Sequence, residues 1–73
     1  MTVKEVLNNI KEHTDYDIYC FICKGHWMNN DDGVLINDYM SVDDTLYIYG
    51  NLIPKDWTIC VTYDFELNIG FLF

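Results

Sequence analysis

Residues 16–23 read Tyr-Asp-Ile-Tyr-Cys-Phe-Ile-Cys. β-Branched and aromatic side chains crowd this stretch, and they fit a pleated surface better than a helical turn. Alternation puts Ile18, Cys20 and Ile22 on one face and Tyr19, Phe21 and Cys23 on the other. Both faces are apolar, which predicts a central strand.

Upstream, residues 2–12 follow another period. Val3, Val6, Leu7 and Ile10 recur at i, i+3, i+4 and i+7, the buried stripe of an amphipathic helix. Lys4, Glu5, Asn8, Asn9, Lys11 and Glu12 cover its other face. Thr2 and Glu5 have capping-box spacing. His13 lies near the inner edge of the stripe; the alternative is that it caps the helix C-terminus, where a cation is favoured.

Downstream, Asn29-Asn30-Asp31-Asp32-Gly33 is a turn signal between Trp27-Met28 and Val34-Leu35-Ile36, so a hairpin is expected there. Residues 37–44 are polar with Tyr39, Met40 and Val42 as anchors, and read as a loop or a single helical turn. Thr45 to Tyr49 reads as a strand ended by Gly50-Asn51, and Pro54-Lys55-Asp56 as a turn. Trp57, Ile59, Val61 and Tyr63 alternate with Thr58, Cys60 and Thr62 in a further strand. Residues 64–66 read as a tight turn before a last strand through Leu67, Ile69 and Phe71. So apolar an ending, Phe71-Leu72-Phe73, should be tied into the sheet. The expectation is a single α+β domain over residues 1–73. Its N-terminal amphipathic helix packs on a mostly antiparallel sheet of five or six strands.

The chain has 73 residues, of which 51% are hydrophobic, so it is not a disordered acidic tail. A core this small invites a staple: a metal, a disulfide or a partner subunit. Twelve Asp and Glu face four Lys and no Arg, for a net charge of −8. Phosphate binding needs the Lys and Arg that are scarce here, so direct contact with nucleic acid or an anionic membrane is disfavoured. A basic partner is the natural complement of such a field. The plain alternative is that acidity serves solubility. Nothing resembles a signal peptide or approaches the ~18 apolar residues of a membrane span. Three Cys do not make a closed disulfide framework. A cytoplasmic setting with reduced or metal-bound thiols is expected.

Cys20-Phe21-Ile22-Cys23-Lys24-Gly25-His26 carries the main chemical signal. Cys-x-x-Cys followed by a Gly turn suits a zinc knuckle, in which a sharp bend converges two thiolates on one ion. Cys20, Cys23, His26 and Cys60 form the candidate ligand set for a structural zinc, with His13 as an alternative ligand. Against this, residues three apart in a straight strand point to opposite faces, so the site requires the strand to end near Cys23. The alternatives are three buried thiols acting as small hydrophobes, or a redox dithiol at Cys20 and Cys23.

Other motifs are weaker. Asp31-Asp32-Gly33 lacks the spacing of a calcium loop. The carboxylate pairs Asp15/Asp17, Asp43/Asp44 and Asp64/Glu66 would suit glycosidase-like chemistry only if they faced a cleft; they sit at expected turns, where solvated Asp is the default. Ser41 has no hydrolase motif around it, and no glycine-rich phosphate loop is present. A binding role is therefore expected rather than an enzymatic one. Its contacts would be the loop carboxylates Asp31, Asp32, Asp38, Asp43 and Asp44 around aromatic anchors drawn from Tyr19, Phe21, Tyr47 and Tyr49. The same aromatics would equally complete a second small core or serve a homodimer interface.

The opening Thr2-Val3-Lys4-Glu5-Val6-Leu7, followed by Tyr/Ile-rich strands, resembles small acidic proteins carried by phages and conjugative elements. Some proteins of that kind are anti-CRISPR proteins, which block RNA-guided nucleases, often by occupying a basic surface meant for nucleic acid. The resemblance lies in size, charge and helix-then-sheet organisation. That class shares no motif, so it assigns no functional residue here, and a zinc knuckle is not one of its general features. It implies a stoichiometric inhibitor in the host cytoplasm, directed most naturally at a type II CRISPR nuclease, whose heteroduplex channel is positively charged. A zinc-stabilised homo-oligomeric subunit is the alternative from another class, and a thiol redox protein a third.

Overall fold

The computed structural model describes residues 1–27, 39–61 and 65–73. Its elements are α1 (Val3–Lys11), β1 (Asp17–Cys23), β2 (Met40–Ser41), α2 (Val42–Tyr49), β3 (Asp56–Val61) and β4 (Glu66–Leu72). The four strands form one sheet in the order β2-β1-β4-β3. β1 and β4 run parallel at its centre, in register from Asp17↔Glu66 to Cys23↔Leu72. β2 and β3 add antiparallel on the two outer sides.

The sheet corrects two expectations. It has four strands among the described residues rather than five or six, and its central pairing is parallel rather than antiparallel. The α+β character remains, with two helices among the described residues instead of one. Residues 45–49 belong to α2, not to a strand. Two local features decide this. Ser41 is an N-cap whose Oγ accepts from the Asp44 N–H at 3.1 Å, and Asp43 and Asp44 place negative charge in the first turn. Val42, Thr45, Leu46 and Tyr49 then recur at the helical spacing and turn inward, while Tyr47 is 91% exposed. Aromatic and β-branched composition is a weaker preference than a cap plus a buried stripe. The hairpin expected between Trp27-Met28 and Val34-Leu35-Ile36 lies outside the described residues.

α1 forms as its period predicts. The Thr2 hydroxyl accepts from the Glu5 N–H at 3.2 Å, and the Glu5 carboxylate accepts from the Thr2 N–H at 3.0 Å. The next free amides are also satisfied: Val3 N–H donates to the Leu52 carbonyl and Lys4 N–H to the Gly50 carbonyl, both at 3.0 Å. The loop leaving α2 therefore caps the start of α1.

Cross-strand partners share a face. Ile18, Cys20 and Ile22 pair with Leu67, Ile69 and Phe71, and these pair with Val61, Ile59 and Trp57. Both helices cover this face over β1 and β4, burying Val3, Val6, Leu7, Cys20, Ile69 and Phe71 in one cluster. Each large side chain so buried stabilises the fold by about 1.5–3 kcal/mol before entropy is counted. Thr45 is the buried polar residue of this layer; its hydroxyl donates to the Ser41 carbonyl at 2.7 Å. The C-terminus is secured as its apolar ending predicts. Phe73 N–H donates to the Cys23 carbonyl at 2.8 Å, and its ring stacks on Tyr49.

On the opposite face, the buried Phe21 ring lies across Gly70, its partner in the parallel register. A Cβ at Gly70 would collide with that ring. Gly70→Ala should therefore lower stability in urea unfolding by roughly 1–3 kcal/mol, and Phe21→Leu in the same chain should restore part of the loss. An unchanged midpoint for Gly70→Ala would contradict the packing. The Thr2 backbone and hydroxyl bonds hold the Glu5 carboxyl below the usual carboxylate range. A depressed folded-state value means stability present above the unfolded value and lost as pH falls through the folded one. Glu5→Gln should flatten that part of the acid side of a thermal-midpoint profile and leave the neutral side nearly level.

Candidate binding surface

The chain turns sharply where α1 ends. Glu12 is the C-cap of α1, and the His13 ring just beyond it places Nδ1 2.7 Å from the Asn9 carbonyl, a contact with one of the open carbonyls of the last turn. Tyr16 N–H then donates to the Thr14 hydroxyl at 3.1 Å, and β1 begins at Asp17. This turn separates two adjoining depressions that share Thr14. On one side is a cleft between the start of β1 and the first turn of α2, where Asp15, Asp17 and Asp43 outnumber Lys11 beside Tyr16 and Ser41. On the other is an apolar groove between α1 and β3, lined by Ile10, Ile59, Leu67 and His13.

Two exposed apolar features flank these depressions. Phe65 is 69% exposed, packs edge-on against Tyr16 with ring centroids 5.5 Å apart, and sits at φ 57°. A bulky residue in the left-handed region is strained by about 1–3 kcal/mol, and strain of that kind concentrates at functional positions. The second feature is β3. Trp57, Ile59 and Val61 lie on the helix face of the sheet, yet they remain 38%, 40% and 67% exposed. The helices reach over β1 and β4 and stop short of this edge strand.

The four expected zinc ligands are dispersed. Cys20 is fully buried beneath the helices, where loss of solvent pushes its thiol pKa up and a Thr45 hydrogen bond partly offsets the rise. Cys23 is buried on the opposite face, and His26 and Cys60 are exposed. Cys60 shares the face of Cys23 but is level with Tyr19 across β4. That is roughly 13 Å further back along the strands, whereas a Zn–S bond spans about 2.3 Å. Among the described residues no three His, Cys, Asp or Glu side chains gather closely enough to hold a metal.

Of the expected partner contacts, Asp43 lines the acidic cleft. Asp44 lies in the first turn of α2 with its N–H bonded to Ser41. Asp31, Asp32 and Asp38 lie outside the described residues. Among the aromatic anchors, Phe21 is buried, Tyr49 is half-buried on Phe73, and Tyr19 and Tyr47 are exposed. Sequence reasoning missed Tyr16 and Phe65, and took Asp15 and Asp17 as turn residues only. The signal available for the last two was their position beside an aromatic at the junction of helix and strand. Among the described residues no helix is long and apolar enough to cross a membrane.

The thiols give a direct check on these placements. With a disulfide reagent under native conditions, Cys60 should react at once and Cys20 and Cys23 only as the protein opens. Three equally fast thiols would contradict the burial. Elemental analysis of protein never exposed to chelator decides the zinc expectation: less than about a tenth of an equivalent goes against a structural site.

Compared with known proteins, the chain matches no family model, no curated protein and no solved structure.

Proposed function

We propose that this protein is an acidic binding module that docks a basic partner, without turnover, where the acidic cleft meets the apolar groove. The observation that carries the reading is the adjacency of Asp15, Asp17 and Asp43 to an apolar strip, joined at Thr14. A basic, amphipathic segment complements both halves at once: its cations meet carboxylates and its apolar side chains enter the groove. The exposed Tyr16–Phe65 pair adds aromatic surface that suits an Arg or Lys. The net charge of −8 steers such a partner from a distance and works against pairing of like-charged copies.

Within this class, the partner we favour is a nucleic-acid-handling protein, most specifically a type II RNA-guided nuclease. The chain resembles anti-CRISPR proteins in size and charge, and such a nuclease carries a positively charged channel. The protein acts there as a stoichiometric inhibitor. The competing reading is a homo-oligomeric subunit, and the exposed Trp57, Ile59 and Val61 are the observation in its favour.

The two readings respond oppositely to salt. Association with a basic partner should slow steeply as ionic strength rises, while an apolar homodimer should hold or tighten. Immobilised protein should retain basic proteins from a host lysate, and Asp15→Asn with Asp17→Asn should cut that retention about tenfold or more. Titration into a purified type II nuclease should stop DNA cleavage at equimolar ratio. Retention of neutral or acidic proteins alone would sink the basic-partner reading; full cleavage at large excess would sink only the choice of nuclease.

A further inference from the structure

We infer that β3 is an open edge that takes up an extended, basic segment of the partner as a fifth strand of the sheet. This rests on the proposed binding of a basic partner and adds the mode of binding. Among the described residues, β4 is the strand that pairs with β3, and the other side of β3 has no strand against it. An edge strand presents a row of backbone N–H and C=O groups, and proteins normally blunt it with charges, proline or a bulge. The edge here is not blunted. Pro54, Lys55 and Asp56 precede it, but Trp57-Thr58-Ile59-Cys60-Val61 runs five residues without a charge or a proline.

The side chains fit the same use. Trp57, Ile59 and Val61 form an exposed stripe at strand spacing, and Ile59 also lines the groove beside α1. An added strand would place alternate apolar residues beside this stripe, extending the layer under α1. Backbone bonds would supply affinity and alternate side chains specificity, as in other strand-addition complexes. Charge decides what kind of strand. The cleft carboxylates lie toward the β2 side of the sheet, and Lys55 and Asp56 balance each other at the start of β3, so the net −8 of the molecule is what favours a cation-bearing strand. The occupant is therefore an extended segment that alternates apolar residues with Lys or Arg. A second copy would bring another −8 to the same edge.

The test uses a capped synthetic peptide of alternating valine and lysine, with amide hydrogen exchange followed by NMR on the whole chain. Binding should slow exchange of the β3 amides that face away from β4 by about tenfold or more. N-Methylation of alternate peptide residues should abolish binding, because it removes the bonding backbone groups. Ile59→Lys, its fold checked by circular dichroism, should weaken binding about tenfold. Two results would overturn strand addition while leaving the basic-partner reading intact: N-methylated peptide binding as well as the parent, or binding without protection of β3. Protein that is already dimeric, with the outer β3 amides protected before peptide is added, would assign the edge to a second copy and overturn the inference. If neither peptide binds and basic proteins are not retained either, the underlying reading fails with it.

Discussion

The rest of the structure depends on the parallel pairing of β1 with β4. It joins residues 17–23 to residues 66–72, which are far apart in sequence, through seven consecutive register pairs. Parallel neighbours require a crossover, and here α2 and β3 lie within it. The pairing creates the floor on which both helices pack: Cys20, Ile69 and Phe71 belong to it, and Val3, Val6 and Leu7 close it from above. It also explains why β1 is apolar on both faces, since Phe21 and Cys23 are buried on the side away from the helices.

The same constraint shapes the surface. Two short helices centred on β1 and β4 cannot also cover β3, so the Trp57–Ile59–Val61 stripe stays open. The end of α1 must turn back to start β1 beside β4, and that turn collects Thr14, Asp15, Tyr16 and Asp17 at the rim of the sheet. The cleft and the groove thus meet through topology, although nothing in the local sequence places Thr14 beside Ile59.

Much of this was legible in the residues. α1 followed from Val3, Val6, Leu7, Ile10 and the Thr2–Glu5 pair, and β1, β3 and β4 from alternation and β-branched content. α2 was not, because Leu46-Tyr47-Ile48-Tyr49 has the composition of a strand. Its helical period begins at Val42, inside a segment that reads as a loop or a single helical turn, and its cap at Ser41 reads as an ordinary polar residue. The parallel register was invisible because pairing between distant segments leaves no local trace; only the two apolar faces of β1 pointed to a central place. The Cys-x-x-Cys motif drew attention to chemistry, whereas strand alternation sends Cys20 and Cys23 to opposite faces. Phe65 was hidden in what looked like a turn, and its left-handed backbone can be seen only in three dimensions.

Native-state amide hydrogen exchange across the whole chain tests the central claim most directly, because the interaction that organises the fold should also open last. The account predicts that the slowest amides belong to Asp17–Cys23 and Glu66–Leu72 and share one opening free energy, with β3 exchanging faster from its outer side. Fast exchange in β4, or protection of β1 that survives removal of residues 66–73, would contradict the parallel pair as the foundation of the fold.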